Sequence, residues 1–374
     1  MRCHNAAPRP APQGWAGPRS ARAALLCTLL RCPRCAQRVP AASASCSFSF
    51  CSRCRPTMWL WLLALLGLWL LRRWHRERQT VPGLDEKFVL ITGCDSGFGS
   101  LLARQLDARG LRVLAGCLTE SGAARLRAAA SSRLQTVLLD VTSSHSIAAA
   151  AAWVRERVGE RGLWGLVNNA GIAVPTAPNE WLRKEDFVAV LNVNLVGLIE
   201  VTLSLLPLVK KARGRVVNVA SVVGRLSIFG GGYCPSKFGV EAFSDSLRLE
   251  MRHFGVKVSI IEPGYFKTGI TSIAALEKSF LSTWERLPSE TKASYGDKYL
   301  QDFLASARKM QKRCNPNLSL VTDCMEHALT SRYPRCRYAA GWDAKLIYIP
   351  LSYFPSAITD AFFALSSPKP AQRA

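Results

Sequence analysis

Residues 88–99 read FVLITGCDSGFG, and this stretch decides the fold. Its first half is a short run of apolar and β-branched residues, the composition of a buried strand. Its second half sets Gly93, Gly97 and Gly99 around Cys94, Asp95, Ser96 and Phe98, just before the helical spacing of Leu101, Leu102, Gln105 and Leu106. A glycine turn between strand and helix lets the backbone approach a pyrophosphate, and the helix N-terminus offers unpaired N–H groups and the positive end of its dipole. Glycines alone fit any tight turn. Their place after the first strand of a βαβ unit is what points to a dinucleotide.

Outward from this turn, RVLAGCL (112–118), TVLLDV (136–141), GLVNNAG (165–171), RVVNVAS (215–221) and KVSIIEPG (257–264) read as further strands. Stretches of helical spacing separate them, such as Val240, Phe243, Leu247 and Met251. Apolar strands alternating with helices predict an α/β domain over 84–265, a doubly wound (Rossmann) parallel sheet with helices on both faces. At the end of the second strand, where an acid would meet a ribose 2′-hydroxyl and an arginine a 2′-phosphate, stand Cys117, Leu118 and Thr119. With neither group present, NAD is the expected cofactor, because an unpaired phosphate dianion costs more than an unpaired hydroxyl. Asp140, before Val141, is placed to accept from an adenine amino group; capping the next helix is its structural alternative.

Tyr233 and Lys237 stand four residues apart in YCPSK, on one face of a helix. An ammonium beside a phenol favours phenolate, so the pair predicts a tyrosine general base with a lowered pKa. Ser221 ends a strand twelve residues before Tyr233 and is suited to polarising a reacting oxygen. Asn194, in the helical run LNVNLVG, is suited to orienting a water behind Lys237. Singly, each has a structural explanation: core tyrosine, solvated lysine, capping serine, backbone-bonding asparagine. Their joint order along a dinucleotide fold is the specific signal.

These motifs resemble the short-chain dehydrogenase/reductase family. TGCDSGFG is similar to its T-G-x3-G-x-G turn, NNAG (Asn168, Asn169, Ala170, Gly171) to its motif after the fourth strand, and Ser221, Tyr233 and Lys237 to its S…Y-x3-K site. Asn194 matches the family's fourth catalytic position, and Pro263, Gly264 and Thr268 a PG-x3-T segment that contacts the nicotinamide amide. ITGCDSGFG, GLWGLVNNAGI, GGGYCPSKFGVEAFSDSLR and MEHALTSRYPRCRY…GWDAK resemble its microsomal retinol and hydroxysteroid dehydrogenase branch, over Met58 to Ala374. The resemblance implies NAD-linked oxidation of all-trans-retinol or of 3α- or 17β-hydroxysteroids, and allows a homodimer. Pro235 stands where the family would have valine; early in a helix, proline is tolerated.

After the nicotinamide segment, 266–374 is expected to form a substrate lid and a membrane-associated C-terminal segment. From 265 to 312 it holds Tyr265, Phe266, Phe280, Leu281, Trp284, Leu287, Tyr295, Tyr299 and Phe303. Such side chains suit a lipophilic substrate, polyene or steroid, and equally the packing of a subdomain. Residues 346–366 are apolar but interrupted by Pro350, Pro355 and Asp360, which favours a contact lying on a membrane over a second span.

The formal net charge of +23 raises nucleic acid as a partner, but its distribution argues against that. Residues 1–57 hold nine of the 49 basic residues and none of the 26 acidic ones, and the rest is spread without a basic block. Seven of the 13 cysteines also precede Met58. Cys32, Cys35, Cys51 and Cys54 have the spacing of a four-thiolate zinc site, but Pro33 and the Ala/Ser-rich loop argue for a disordered or processed leader over 1–57 and no metal. From Met58, WLWLLALLGLWLL runs to Leu71 and is followed by Arg72, Arg73, Arg76 and Arg78, which predicts a membrane-anchor helix with a basic flank over 58–79. The competing readings are an NADP-dependent carbonyl reductase and a membrane-bound lipid-binding protein of the same fold.

The resemblance implies the endoplasmic reticulum membrane; if translation starts at Met58 the basic flank predicts a domain facing the cytosol, and if residues 1–57 are retained Arg53 and Arg55 weaken that bias. Asn317-Leu318-Ser319 is a glycosylation acceptor used only in the lumen, so glycosidase treatment is expected to leave the mass unchanged. A mass shift that disappears in Asn317→Gln would reverse the orientation.

Overall fold

The apolar runs pair side by side in one parallel sheet, ordered β3-β2-β1-β4-β5-β6-β7. The computed structural model describes residues 55–365 and 367–372, in two compact units divided between Leu66 and Gly67. In chain order the elements are α1 (Arg55–Glu77), β1 (Phe88–Thr92), α2 (Gly97–Ala108), β2 (Arg112–Cys117), α3 (Glu120–Ala128), β3 (Gln135–Leu138) and α4 (Ser144–Val158). They continue as β4 (Gly165–Asn168), α5 (Lys184–Leu191), α6 (Gly197–Lys211), β5 (Arg215–Val219), α7 (Tyr233–Met251) and β6 (Lys257–Pro263). Then follow α8 (Ile273–Glu285), α9 (Ser289–Tyr295), α10 (Asp297–Arg313), α11 (Ser319–Thr330), β7 (Arg337–Ala340) and α12 (Ser356–Ala364).

Each expected strand forms, shorter than its apolar run by the residues that turn out of the sheet toward its C-terminal edge. A seventh strand, β7, was not expected, because its RYAA carries no apolar run. It adds to β6 with Ile260 opposite Arg337 and Pro263 opposite Ala340.

Two hydrophobic layers hold the sheet. On one face, Leu102 and Leu106 of α2 and Val321, Met325 and Leu329 of α11 pack over Val89, Ile91 and Val113. On the other, Val154 of α4, Val201 and Leu205 of α6 and Leu247 of α7 pack over Leu90, Leu114 and Leu166. The alternation of Val89 and Ile91 against Leu90 assigns neighbouring side chains of β1 to opposite faces, and burial of both faces explains its unbroken apolar sequence.

Among the described residues, Lys184–Lys211 is long and apolar enough to cross a membrane by length and composition. Its Leu198, Val201, Leu205 and Val209 are buried in the domain core, so it is a core helix. In α1 the exposed side chains run right round the helix, with Trp59, Leu63, Leu66, Trp69 and Leu70 all about half or more exposed. The helix continues through the basic flank to Glu77. The four leader cysteines of zinc-like spacing lie outside the described residues.

Candidate active site

A cleft of about 530 Å³ opens at the C-terminal edge of the sheet, around the point where the chain order reverses between β1 and β4. Gly93 has φ 70°, and a Cβ there would lie 2.8 Å from the Ala170 Cα, so this turn requires glycine. At Gly97, φ 59°, a Cβ would meet only the Thr268 side chain at 4.0 Å. The first turn of α2 therefore faces open space, and its N-cap residue Ser96 makes no side-chain bond to it. That is the cradle a phosphate requires. Asp95, Ser96 and Phe98 line the cleft beside it. Gly99 does not. A Cβ on it would collide with the Gly93 carbonyl and the Asn169 amide, so its role is close helix-to-strand packing.

Thr92 pins the two cleft-forming loops together. Its Oγ1 accepts from the backbone N–H of Asn169 and of Ala170, each at 3.0 Å, while Asn169 Nδ2 donates to the carbonyls of Thr92 and Gly93 at 2.9 and 3.1 Å. Asn169, Ala170 and Gly171 line the cleft. Asn168, expected with them, points into the core instead: its Nδ2 donates to Thr202 Oγ1 and Asn218 Oδ1 at 2.8 Å. Asn218 in turn donates to Ser244 Oγ at 2.8 Å, so Asn168 belongs to a buried ladder joining β4, β5, α6 and α7. The pleat explains the difference, since successive residues at a strand end face opposite ways.

Cys117 also departs from expectation. Its side chain is wholly buried in the core, and Leu118 and Thr119 line the cleft at the end of β2. Asp95 reaches across and accepts from the backbone N–H groups of Leu118 at 2.7 Å and Thr119 at 2.9 Å and from Thr119 Oγ1 at 2.7 Å. A carboxylate is thus fixed at this corner. Asp140 and Val141 line the adjoining wall. Asp140 Oδ1 accepts from the Thr142 N–H and hydroxyl at 2.8 and 2.7 Å, and Ser143 caps α4 in its place.

On the opposite wall, Tyr233 opens α7, with Pro235 accommodated in the first turn, and Ser221 lines the same cleft, its hydroxyl donating to the Pro263 carbonyl at 3.4 Å. The Ser221 hydroxyl also accepts from the Val223 N–H at 3.3 Å. Lys237 Nζ donates to the Val219 carbonyl at 2.8 Å and lies 5.6 Å from the centre of the Tyr233 ring. Burial works against both charges. It pushes the Tyr233 phenol up to about 12, with Ser221 opposing, and takes the Lys237 ammonium down to about 8, with Glu241 opposing. Desolvation raises the Tyr233 phenol, opposite to the lowering expected from its spacing to Lys237.

Asn194 lies in a π-helical turn, Asn192–Val196, between α5 and α6. Its Oδ1 accepts from the Ile172 N–H at 2.8 Å, and its Nδ2 donates to the Ile172 carbonyl at 2.8 Å and to Ser236 Oγ at 3.0 Å. Both amide hydrogens are engaged within the protein. It ties the segment after β4 to the helix that carries Tyr233.

Pro263, Gly264 and Thr268 line the cleft with Phe266, Ile270 and Ala275, facing Ile172, Ala173, Val174 and Val193. This wall is apolar, but the expected aromatic cover is largely elsewhere. Phe280, Trp284, Tyr295 and Tyr299 gather around Trp181 at centroid distances of 5.0 to 5.7 Å, and Phe303 stacks on Phe280. They form a hydrophobic cluster of their own. Residues unforeseen from the sequence support the site from behind. Asp343 accepts from the Tyr265 N–H at 2.8 Å and presses against Gly264, where any Cβ would collide with it. Behind Lys237 lie Glu241, Glu262 and Arg337. Among the described residues, no group of three or more His, Cys, Asp or Glu is arranged to hold a metal ion.

The short chain dehydrogenase family model matches residues 87–278. Retinol dehydrogenase 16 of Homo sapiens is 63% identical over 315 residues, covering 84% of this chain and 99% of that protein. The 17-beta-hydroxysteroid dehydrogenase type 6 of Rattus norvegicus is 60% identical over 315 residues, with the same coverage of 84% and 99%. Among solved structures, a short-chain dehydrogenase from Streptomyces avermitilis superimposes with a TM-score of 0.57 at 25% identity, covering 75% of this chain and 94% of that one.

The Thr92 hydroxyl gives a direct test of how the cleft is held. Thr92→Val keeps the shape and removes the acceptor shared by Asn169 and Ala170. A stability loss of roughly 1–3 kcal/mol is expected in urea denaturation; an unchanged midpoint would remove this role from the hydroxyl.

Proposed function

The chain belongs to the short-chain dehydrogenase family, and on that premise we propose that it is an NAD-dependent dehydrogenase of lipophilic alcohols, all-trans-retinol or 3α- and 17β-hydroxysteroids. It is an alcohol oxidoreductase by kinship with relatives named for retinol and hydroxysteroid oxidation. The observation that carries the reaction is the meeting of Ser221, Tyr233 and Lys237 in the lining of one cleft with the glycine turn and with Pro263, Gly264 and Thr268.

A nicotinamide dinucleotide, when bound, supplies the hydride acceptor. The residues that would hold it are Gly93 and Ser96 to Phe98 at the pyrophosphate, Asp140 at the adenine, Asn169 to Gly171 and Lys237 along the ribose side, and Pro263, Gly264 and Thr268 at the amide. The apolar wall of Ile172, Val174, Phe266 and Ile270 suits a substrate with one polar end. The alcohol oxygen would sit between Ser221 and Tyr233, Ser221 donating to it as its carbonyl character grows and Tyr233 taking its proton. The Lys237 ammonium supports the phenolate, because in a buried site a paired anion and cation cost less than either alone. Asn194 acts as a positioning residue through Ile172 and Ser236.

The preference for NAD is supported by the corner at the end of β2. Among the described residues lining the cleft, Lys237 is the one cation, and Asp95 holds a carboxylate against Leu118 and Thr119. A 2′-phosphate there would meet a negative charge and no arginine. We further propose that α1 anchors the protein to the endoplasmic reticulum membrane, since an all-round apolar helix with a basic end suits a lipid environment. Exposed Leu346, Tyr353, Phe354 and Leu365 extend apolar surface near the C-terminus, in keeping with a contact lying on the membrane.

Activity on membranes, with NAD and NADP against retinol and androstanediol, tests the assignment as a whole. Tyr233→Phe is expected to lower kcat by roughly 100- to 10,000-fold while leaving NADH binding nearly unchanged, and near-native turnover would overturn the mechanism. Leu118→Arg brings a guanidinium to the β2 corner and is expected to move the NADP-to-NAD preference by about tenfold or more. An unaltered ratio would show that this corner does not read the 2′ position.

A further inference from the structure

Arg225, Glu241, Asp245, Glu262 and Arg337 meet behind the cleft without lining it. Arg337, the first residue of β7, donates through Nη2 to Glu241 Oε2 at 2.9 Å and to Asp245 Oδ2 at 2.7 Å, and through Nη1 to Asp245 Oδ1 at 3.1 Å. Glu241 and Asp245 stand four residues apart on α7, so one planar guanidinium grips two successive turns of that helix. On its other side, Arg337 Nε faces Glu262 Oε1 of β6 at 3.7 Å, an ion pair without a hydrogen bond. The same Glu262 oxygen accepts from Arg225 Nη1 at 3.4 Å. Glu241 and Glu262 are both buried, and buried carboxylates need cations beside them; Arg337 reaches both.

Each partner stands next to a segment of the cleft. Glu262 directly precedes Pro263 and Gly264, and Glu241 lies one turn beyond Lys237. Arg225 ends the short turn Val222–Gly224 that Ser221 caps. This turn abuts α7 so closely that a Cβ on Gly224 would lie 2.9 Å from the Lys237 carbonyl oxygen. The strand that Arg337 opens leads on to Asp343, which accepts from the Tyr265 N–H at 2.8 Å and leaves no room for a Cβ on Gly264. The ion pairs thus join the segments that carry Ser221, Lys237 and Gly264, all from the β5, β6 and β7 side of the sheet. The glycine turn follows β1 and Asp140 follows β3, on the other side, and neither contributes to these pairs.

We propose that Arg337 is a positioning residue for the nicotinamide half of the cleft: by holding α7, β6 and the turn after β5 together, it places Lys237, Ser221 and Gly264 without itself touching cofactor or substrate. The planar fork is what allows this, because it donates to two carboxylates of α7 while its Nε edge faces a third on β6. A lysine ammonium carries the same charge at a single point. Without a cation there, carboxylates of α7 and β6 face each other uncompensated, and the segments they belong to separate. The adenine half of the cleft rests on other elements and keeps its shape.

The inference rests on the proposed dinucleotide cleft, and its test needs no alcohol. Titration calorimetry of the full chain compares NADH, which spans both halves of the cleft, with ADP, which reaches only the glycine turn and the adenine wall. Arg337→Met is expected to weaken NADH binding about tenfold and to leave ADP binding unchanged. Arg337→Lys should lie between wild type and Arg337→Met for NADH. Asp245→Asn, at the partly exposed end of the cluster, should weaken NADH in the same direction, again without moving ADP. These two milder variants decide the question if Arg337→Met does not fold. Selective loss of NADH supports the proposal. Equal losses of both ligands, or unaltered affinities in all variants, overturn it, because a residue that only stabilises the fold would not separate the two ligands. Selective loss without alcohol turnover by the wild type would sink the proposed substrate class and leave this inference standing. A wild type that binds neither ligand would overturn both.

Discussion

A lysine ammonium held out of water at the C-terminal edge of a parallel sheet constrains everything around it. Lys237 has the Val219 carbonyl at 2.8 Å and Glu241 as opposing charge, and it shares its wall with a phenol that burial also disfavours as an ion. In such a site charge is stable only in pairs. The strands β5 and β6, the helix α7 and the added strand β7 converge there, so the chemistry depends on the register of the sheet as well as on the motif residues.

The loops of the cleft are held by side chains that mimic backbone. Asn194 exchanges a pair of bonds with Ile172 as a neighbouring strand would, Asn169 caps the carbonyls of the glycine turn, and Asp95 gathers the two N–H groups that follow β2. Each satisfies a peptide group that leaves the sheet and would otherwise lie half-buried without a partner. The cleft is consequently shaped by fixed polar contacts around the glycine turn and by apolar packing around Phe266 and Ile270. The cluster centred on Trp181 does not line the cleft, whose apolar wall includes Phe266, Ile270 and Ala275.

The alternation of apolar strands with helical spacing, the glycines of 93–99 and the spacing of Tyr233 and Lys237 were legible because each encodes a local periodicity or a local steric need. Gly93 requires its positive φ, Ser221 follows its strand by two residues and caps the next turn, and the tyrosine and lysine share a helix face whatever surrounds them. Other features depend on neighbours remote in sequence. Cys117 and Asn168 stand one residue from the cleft's rim, and the pleat turns both inward. Arg337 lies 96 residues from Glu241, and Asp343 lies 78 from Tyr265.

The amino-acid sequence by itself determined the doubly wound fold, the position of the glycine turn and the candidate side chains of the site. The tertiary structure alone decided their ionisation, because desolvation and the pairing of buried charges arise only when β6, β7 and α7 close over Lys237.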